Sequence, residues 1–151
     1  MRVVLQRVCQ ASVEIDQAIA AEIGNGLLIL LGIEASDNQS DIDWLTRKIT
    51  QLRIFSDQHH RMNLSLEDIN GSILIVSQFT LYANTQKGNR PSFIQAADPS
   101  IAIPLYEGFC QRMRERLEHS RVKTGVFGAD MKINLCNDGP VTLVIDSRNK
   151  Q

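Results

Sequence analysis

MRVVLQRVCQASVEIDQAIAAEIGNGLLILLGI, the sequence of residues 1–33, decides the class of fold. Apolar and polar residues alternate over 1–16, which predicts a long strand, and a second strand is predicted over 18–23 after a short turn. Gly24-Asn25-Gly26 is a strong signal for a tight turn, because glycine and asparagine tolerate positive φ angles. Residues 27–33 are apolar on both faces, so this third strand is expected at the centre of the sheet. Strands joined by turns this short predict an antiparallel sheet.

Two amphipathic helices are predicted in the middle of the chain. The first begins at Ser40, whose hydroxyl can cap it. Its apolar residues recur at three- and four-residue spacing, at Ile42, Leu45, Ile49 and Leu52. The second begins at Asp98-Pro99, since proline is favoured in the first helical turn, and it runs to about His119 with Pro104 in its opening turn. One buried stripe is predicted on it, formed by Leu105, Phe109, Met113 and Leu117.

The rest of the chain alternates between short strands and polar loops. A polar loop is predicted over 56–66, and further strands over 53–55, 72–81, 121–124, 132–135 and 141–145. The total is about seven strands. The strands on either side of the helices lie mostly too close in sequence for βαβ crossovers, so we do not expect the helices to form such crossovers. The predicted fold class is α/β: a single domain over 1–151, in which two helices pack on a mixed, largely antiparallel, β-barrel-like sheet.

Composition limits the possible partners and the cellular location. The net charge of −1 argues against tight, non-specific binding of nucleic acid. It is compatible with a nucleic acid that the protein contacts at only a few phosphates. The first residues lack the apolar core of a signal peptide, and the most apolar stretch, 27–33, is too short to cross a bilayer, so we expect a cytoplasmic protein. The three widely spaced cysteines, Cys9, Cys110 and Cys136, are expected to be buried, reduced thiols.

Ser77-Gln78-Phe79-Thr80-Leu81 follows an apolar run, where a strand would deliver polar groups to the rim of the sheet. Backbone N–H groups at the point where a strand stops pairing can stabilise the oxyanion of ester hydrolysis. In a strand, Gln78 and Thr80 would share one face. The alternative is purely structural, because β-branched threonine is common in strands.

Asn137-Asp138-Gly139-Pro140 stands between the last two predicted strands. Its residues are all typical of turns, so a hairpin is the simplest interpretation. The alternative is a cis Gly139-Pro140 bond, which would turn the two neighbouring carbonyls to the same side.

Other hydrolytic chemistries find little support in the sequence. His59 and His60 lie in a polar loop and His119 at a helix end, where solvated side chains are expected. The sequence has no HExxH, GxSxG or clustered Cys/His pattern, so we expect no metal and no cofactor.

Taken together, the two motifs resemble the paired signatures of the D-aminoacyl-tRNA deacylases, and the resemblance runs from Met1-Arg2-Val3-Val4-Leu5-Gln6-Arg7-Val8 to Ile145. It implies the fold of that family and hydrolysis of the ester between a D-amino acid and tRNA. Ser77, Gln78, Phe79 and Thr80 would line the catalytic pocket for the terminal adenosine and its amino acid. The backbone N–H groups of Phe79 and Thr80 would hold the carbonyl oxygen, with the ribose 2′-hydroxyl assisting the attacking water. Thr80 as a covalent nucleophile is the competing mechanism.

The resemblance also implies a homodimer. Gly139 and Pro140 would form a cis pair that enters the active site of the opposite subunit, where their carbonyls would meet the substrate's α-amino group. An L side chain would then be rejected, whereas glycyl-tRNA would be hydrolysed to some extent. A second pocket-lining stretch is implied at Phe127, Ala129 and Met131. Lys87 and Arg90, in the loop after the first motif, are expected to contact the tRNA, with a solvated loop as the alternative.

Two other functions stay open. The first is a non-catalytic, dimeric barrel that binds tRNA ends or nucleotides, and the second is a metal-dependent hydrolase that uses His59 or His60.

Overall fold

The first strand organises the sheet, because three other strands pair with it. The computed structural model describes residues 1–150. Its strands are β1 (Arg2–Ile15), β2 (Ala18–Ile23), β3 (Gly26–Gly32), β4 (Phe55–Ser56), β5 (Met62–Leu64), β6 (Ser72–Ser77), β7 (Val122–Thr124) and β8 (Lys132–Asp146). Its α-helices are α1 (Gln39–Gln51) and α2 (Pro99–Arg116), and short 3₁₀ turns cover Phe79–Tyr82 and His119–Arg121.

β1 pairs antiparallel with β2, β3 and β8. Its first half lies beside β3 and its second half beside β2, so the predicted antiparallel pairing is confirmed. The tight turn predicted at Gly24-Asn25-Gly26 is wrong, because β2 and β3 follow one another along the same edge of β1 and residues 24–25 only bend the chain. β2 also lies against β6 and β7, so the sheet curls into a nearly closed barrel. The fold class predicted from the sequence is therefore confirmed.

Both helices belong to crossover connections, contrary to the sequence-based expectation. β6 pairs parallel with β3, and β7 pairs parallel with β6, so α1 and α2 each lie between two parallel strands. The connections 33–71 and 78–121 are much longer than the dozen or so residues that a crossover needs. The sheet is thus antiparallel around β1 and parallel around β6.

The final strand differs most from its prediction. β8 is one continuous strand along β1 and not a hairpin. Gln6 pairs with Thr142 and Val8 with Asn137, so residues 138–141 bulge out opposite a single residue of β1. A proline, which has no N–H to donate, fits such a bulge. The Gly139-Pro140 peptide bond is cis.

The apolar core lies on both faces of the sheet. Alternate residues of β3 contribute to two clusters: Leu27, Ile29 and Leu31 pack with α1 and α2, and Leu28 packs on the other face. This confirms the central, two-sided burial expected of β3. In α2 the predicted stripe is largely buried, since Phe109, Met113 and Leu117 are almost fully covered.

Several local predictions need adjustment. The N-cap of α1 is Asn38, two residues before the predicted Ser40, and it forms a capping box with Asp41. Pro104 lies inside α2 beyond the opening turn. β5 occupies part of the predicted 56–66 loop, where it pairs with β4. Of the cysteines only Cys110 is buried, whereas Cys9 and Cys136 are exposed free thiols. Over residues 1–150 no helix combines the length and apolarity needed to cross a bilayer.

Candidate active site

The first motif forms a strand end followed by a 3₁₀ turn. β6 ends at Ser77. One further hydrogen bond joins this segment to β3, since the Gln78 N–H donates to the Leu31 carbonyl at 2.8 Å. The Leu81 N–H then donates to the Gln78 carbonyl at 3.2 Å. Phe79 and Thr80 are the first two residues of the turn, so their N–H groups have no carbonyl acceptor within it. Two adjacent backbone donors therefore stand at the end of a buried strand.

The side chains of Gln78 and Thr80 meet, although not through the strand alternation predicted for them. The Gln78 amide Nε2 donates to the Thr80 Oγ1 at 2.5 Å across the start of the turn. Within residues 1–150 this amide is the only hydrogen-bond partner of the Thr80 hydroxyl. An amide cannot accept the hydroxyl proton as a general base, so the geometry positions the hydroxyl without activating it as a nucleophile.

Gly32 allows the turn to lie directly on β3. A Cβ atom at Gly32 would stand 3.0 Å from the Leu81 Cβ and 3.1 Å from the Gln78 carbonyl oxygen. Any side chain at this position would push the turn away from the sheet. The sequence shows only a glycine near the end of an apolar strand, and nothing local in it reveals this contact.

Arg2 fixes the other end of the turn. Its guanidinium donates to the Leu81 carbonyl at 2.8 Å, lies 4.8 Å from the centre of the Tyr82 ring, and pairs with Asp146 at 3.1 Å. The turn is thereby connected to β1 and β8 as well as to β3. This positioning role is not evident from the sequence, because an arginine at the start of an alternating strand is normally assigned to the solvent face.

Phe79 is 57% exposed, so its ring is available to a ligand. It lies edge-on to Phe93, with ring centroids 5.1 Å apart. A bridge between Asn84 and Ser92 closes the loop just before Phe93. The exposed Lys87 and Arg90 lie in this loop, so both cations belong to a segment anchored beside the turn.

The stretch containing Phe127, Ala129 and Met131 emerges at the same rim. β7 pairs with β6 up to Ile75, and the Gly125 N–H then donates to the Ile75 carbonyl at 2.9 Å. Met131 packs over Gly125, because its sulfur lies 2.6 Å from where a Cβ of that glycine would be. The Phe127 ring lies 5.7 Å from the Tyr106 ring. Ala129 closes the intervening turn through a bond from its N–H to the Val126 carbonyl.

The second motif lies elsewhere in the chain. Its bulge faces Arg7, which pairs with Leu27, whereas Ser77 pairs with Leu31. The two motifs are therefore four residues apart along β3, about 13 Å, and three strands apart across the sheet, about 14 Å. Gly139 and Pro140 are exposed. In one chain the two motifs do not form a single site.

Arg7 holds the bulge in place. Its buried side chain donates from Nε to the Asp138 carbonyl at 3.0 Å and pairs with the Asp138 carboxylate at 3.1 Å. Its Nη1 donates to the Ile54 carbonyl at 2.5 Å. A Cβ atom at Gly139, whose φ is +126°, would stand 3.0 Å from the Arg7 Nη2. A buried arginine in β1 is a second positioning residue that alternation alone does not reveal.

The three histidines lie outside this rim. His59 and His60 are exposed in the β4–β5 connection, and His119 is in the second 3₁₀ turn. Among residues 1–150 the only hydrogen-bond partner of the His59 ring is the Gln58 amide, at 3.3 Å. The part of the chain that the structure describes contains no group of three or more His, Cys, Asp or Glu residues arranged to hold a metal ion.

Comparison with known proteins identifies a family. The family model described as D-Tyr-tRNA(Tyr) deacylase matches residues 4–146. The D-aminoacyl-tRNA deacylase of Flavobacterium psychrophilum is 62% identical over 151 residues, 100% of both chains. That of Porphyromonas gingivalis is 58% identical over the same full length.

Two solved structures have a similar fold over almost the whole chain. The c-Myc DNA Unwinding Element Binding Protein superposes with a TM-score of 0.92 at 38% identity, over 97% of this chain and 98% of that one. A probable eukaryotic D-amino acid tRNA deacylase superposes with a TM-score of 0.82 at 21% identity, over 95% and 97% of the two chains. The second comparison shows a shared fold.

Proposed function

Because this chain belongs to the D-Tyr-tRNA(Tyr) deacylase family, we propose that it hydrolyses the ester between a D-amino acid and the 3′-terminal ribose of tRNA. The observation that carries the proposal is the pair of N–H groups at Phe79 and Thr80, which precede the first bond of their turn. An ester carbonyl placed against them would find two preorganised donors for its developing negative charge.

The reaction needs only water as co-reactant. The water oxygen attacks the carbonyl carbon, and the carbonyl oxygen becomes an oxyanion held by the Phe79 and Thr80 N–H groups. The bond from carbon to the ribose oxygen then breaks, and the ribose oxygen takes a proton. The neighbouring ribose 2′-hydroxyl relays protons between the water and the leaving oxygen. Thr80 contributes its backbone, while the Gln78 amide keeps its hydroxyl in place.

We assign stereochemical selection to Gly139 and Pro140 of a partner subunit. Both residues are exposed on a bulge that lies away from the turn of their own chain. Placed over the turn of a second copy, their carbonyls would accept hydrogen bonds from the substrate's α-amino group and leave no room for an L side chain. Selection would then work by exclusion, so glycyl-tRNA, which has no side chain to exclude, would also be cleaved.

The homodimer required by this arrangement is supported by the exposed edge of β8. Within residues 1–150, β8 pairs only with β1, and Val144 on it is 67% exposed. A long edge strand with exposed apolar residues is a surface that proteins usually cover. Light scattering after gel filtration should give twice the 16.9 kDa mass of one chain. A mass equal to one chain at micromolar concentration would contradict the shared site.

The tRNA would be held near the site by few charges. Lys87 and Arg90 lie in the loop anchored beside Phe79, and the overall net charge is only −1. We therefore propose that they contact phosphates close to the acceptor end and that no broad basic surface is used. Since aminoacyl-tRNA is made and used in the cytoplasm, we propose that the enzyme works there.

The first experiment compares the deacylation rates of D-tyrosyl-tRNA and L-tyrosyl-tRNA by metal-free protein. Loss of the D ester alone would support the enzyme, its stereochemistry and its independence from metal. Survival of both esters with retained tRNA binding would instead support a binding barrel. Cleavage of both would remove the role given to Gly139 and Pro140. Activity that appears only after zinc is added would support a histidine metal site.

A further inference from the structure

A groove of about 550 Å³ runs between α2 and the segment that follows β7. Its lining combines polar side chains, among them Arg114 and Glu107, with the apolar and aromatic side chains of Ile103, Tyr106, Val126 and Phe127. None of these, apart from Phe127, has a place in the reaction described above.

The groove starts where the proposed active site ends. Phe127 belongs to both, since it follows the β7 segment that emerges beside the end of β6. The Tyr106 hydroxyl donates to the Ile75 carbonyl at 3.0 Å, two residues before Ser77. A ligand that extends beyond the proposed pocket along this rim would enter the groove.

Arg114 is the unusual residue in the groove. Its Nε is buried and has no hydrogen-bond partner, and within residues 1–150 its guanidinium takes part in no ion pair. By contrast, Arg112 pairs with both Asp43 and Glu115 at 2.8 Å. A buried donor left without an acceptor is costly, so a bound anion would relieve a cost that the free protein carries.

The neighbours of Arg114 do not supply that anion. Glu107 lines the same groove, but no ion pair joins it to Arg114. Burial raises the pKa of the nearby Cys110 thiol to about 11, so this group is neutral at pH 7. The Arg114 guanidinium therefore makes no direct ion pair within residues 1–150, although the Glu107 carboxylate lies in the same groove.

The walls of the groove match a nucleotide. Val126 and Ile103 are exposed apolar residues, at 53% and 37%, and Phe127 adds a partly covered aromatic ring. An apolar wall on which a base can stack, with a single cation for a phosphate, is the combination that single-stranded nucleic acid binds.

We propose that this groove binds the nucleotides immediately before the terminal adenosine of the same tRNA, with the Arg114 guanidinium donating to a phosphate between them. This inference rests on the proposed function, since that function places the aminoacylated adenosine at the adjoining turn. The groove would add affinity for the polynucleotide without touching the ester.

The test compares two substrates. D-tyrosyl-tRNA contains the preceding phosphates, whereas 3′-O-D-tyrosyl-adenosine does not. Arg114→Gln should lower kcat/KM for the tRNA about tenfold, as expected for loss of a charge-assisted hydrogen bond, and leave the adenosine ester unaffected. The slope of log kcat/KM against log salt concentration should become less negative by about 0.7, the value for one single-strand phosphate contact.

Arg112→Gln is the matched control, because it removes a charge from the same helix outside the groove, and it should behave as wild type. Arg114→Lys should retain most of the salt dependence. Equal losses on both substrates, or no loss on either, would overturn the proposal. If the wild-type protein cleaves neither ester, the proposed function is wrong, and the affinity for uncharged tRNA tests the groove by itself. Weaker tRNA binding by Arg114→Gln would support nucleotide binding in the groove, and equal binding would overturn it.

Discussion

Replacing Gly32 by alanine tests whether the position of the 3₁₀ turn controls catalysis. The new Cβ would stand 3.0 Å from the Leu81 Cβ and 3.1 Å from the Gln78 carbonyl oxygen. Two carbon atoms prefer a separation of about 3.5–4.0 Å, so the turn must move away from β3 by about 0.5 Å. Since a misplacement of about 1 Å can cost about 100-fold in rate, we expect kcat for D-tyrosyl-tRNA to fall about tenfold.

The stability of the same variant provides the comparison. Overpacking of this kind typically costs about 1–3 kcal/mol, which leaves most of an ordinary domain folded at 25 °C. Gly24→Ala is the matched control, because a Cβ there would meet nothing within 4 Å. Urea denaturation measures the loss of stability and single-turnover rates measure the effect on catalysis, so the two can be compared separately. If Gly32→Ala keeps the wild-type rate, or if Gly24→Ala loses as much, the turn's contact with β3 does not set the donors' position.

Three further variants test other parts of the site. Thr80→Ala should keep substantial activity, because the backbone donors remain; complete loss, together with an acyl-enzyme trapped on wild type, would favour the nucleophile mechanism. Arg7→Met should lower the ratio of D-tyrosyl-tRNA to L-tyrosyl-tRNA deacylation rates by a larger factor than it lowers the D rate itself, because the bulge at Asp138 loses its contacts with Arg7. An unchanged ratio would contradict a role of Arg7 in positioning the bulge. Burial alone would raise the pKa of Asp146, but hydrogen bonds from the Arg148 N–H and from the Arg2 guanidinium lower it. The ionised Asp146 therefore stabilises the fold above about pH 4, and this stabilisation is lost as the pH falls further. Asp146→Asn should therefore flatten the acid limb of the stability curve, and an unchanged curve would contradict the assignment.

The elements that the sequence predicted well are those specified by neighbouring residues. Alternation over β1 is a local signal, and the predicted strand is confirmed. The stripe on α2 depends only on helical spacing, and Phe109 and Met113 are buried as predicted. In each case the physical cause lies within a few residues of its effect.

The predictions that were wrong concern residues whose structure depends on distant partners. Residues 77–81 read as a continuing strand, but β6 stops at Ser77 and the turn packs on Gly32, some 45 residues earlier in the chain. Residues 137–140 have turn chemistry, but β1 is long enough to pair with the segments on both sides, so residues 138–141 form a bulge in one strand. A local pattern cannot report the length of the strand opposite.

For the candidate site, the resemblance indicated the residues and the structure gives their arrangement. The sequence could not predict that the Gln78 amide would hold the Thr80 hydroxyl, because that contact depends on the 3₁₀ turn. Arg2 and Arg7 were missed for a related reason, since a charged residue in an alternating strand is normally assigned to the solvent face. Only the folded chain reveals that both guanidiniums bind backbone carbonyls next to the two motifs.

The separation of the two motifs bears on how stereochemical selection can work at all. The donors at Phe79 and Thr80 follow β6, and the carbonyls at Gly139 and Pro140 lie on β8, with β1 and β3 between them. Both motifs are attached to strands of one rigid sheet, so no loop movement within a chain would bring them together. Under the function proposed above, the filter would come from a second copy, and a monomer would retain the proposed oxyanion donors while lacking the filter. Selectivity, more than rate, is therefore the property that should fail when the subunits separate.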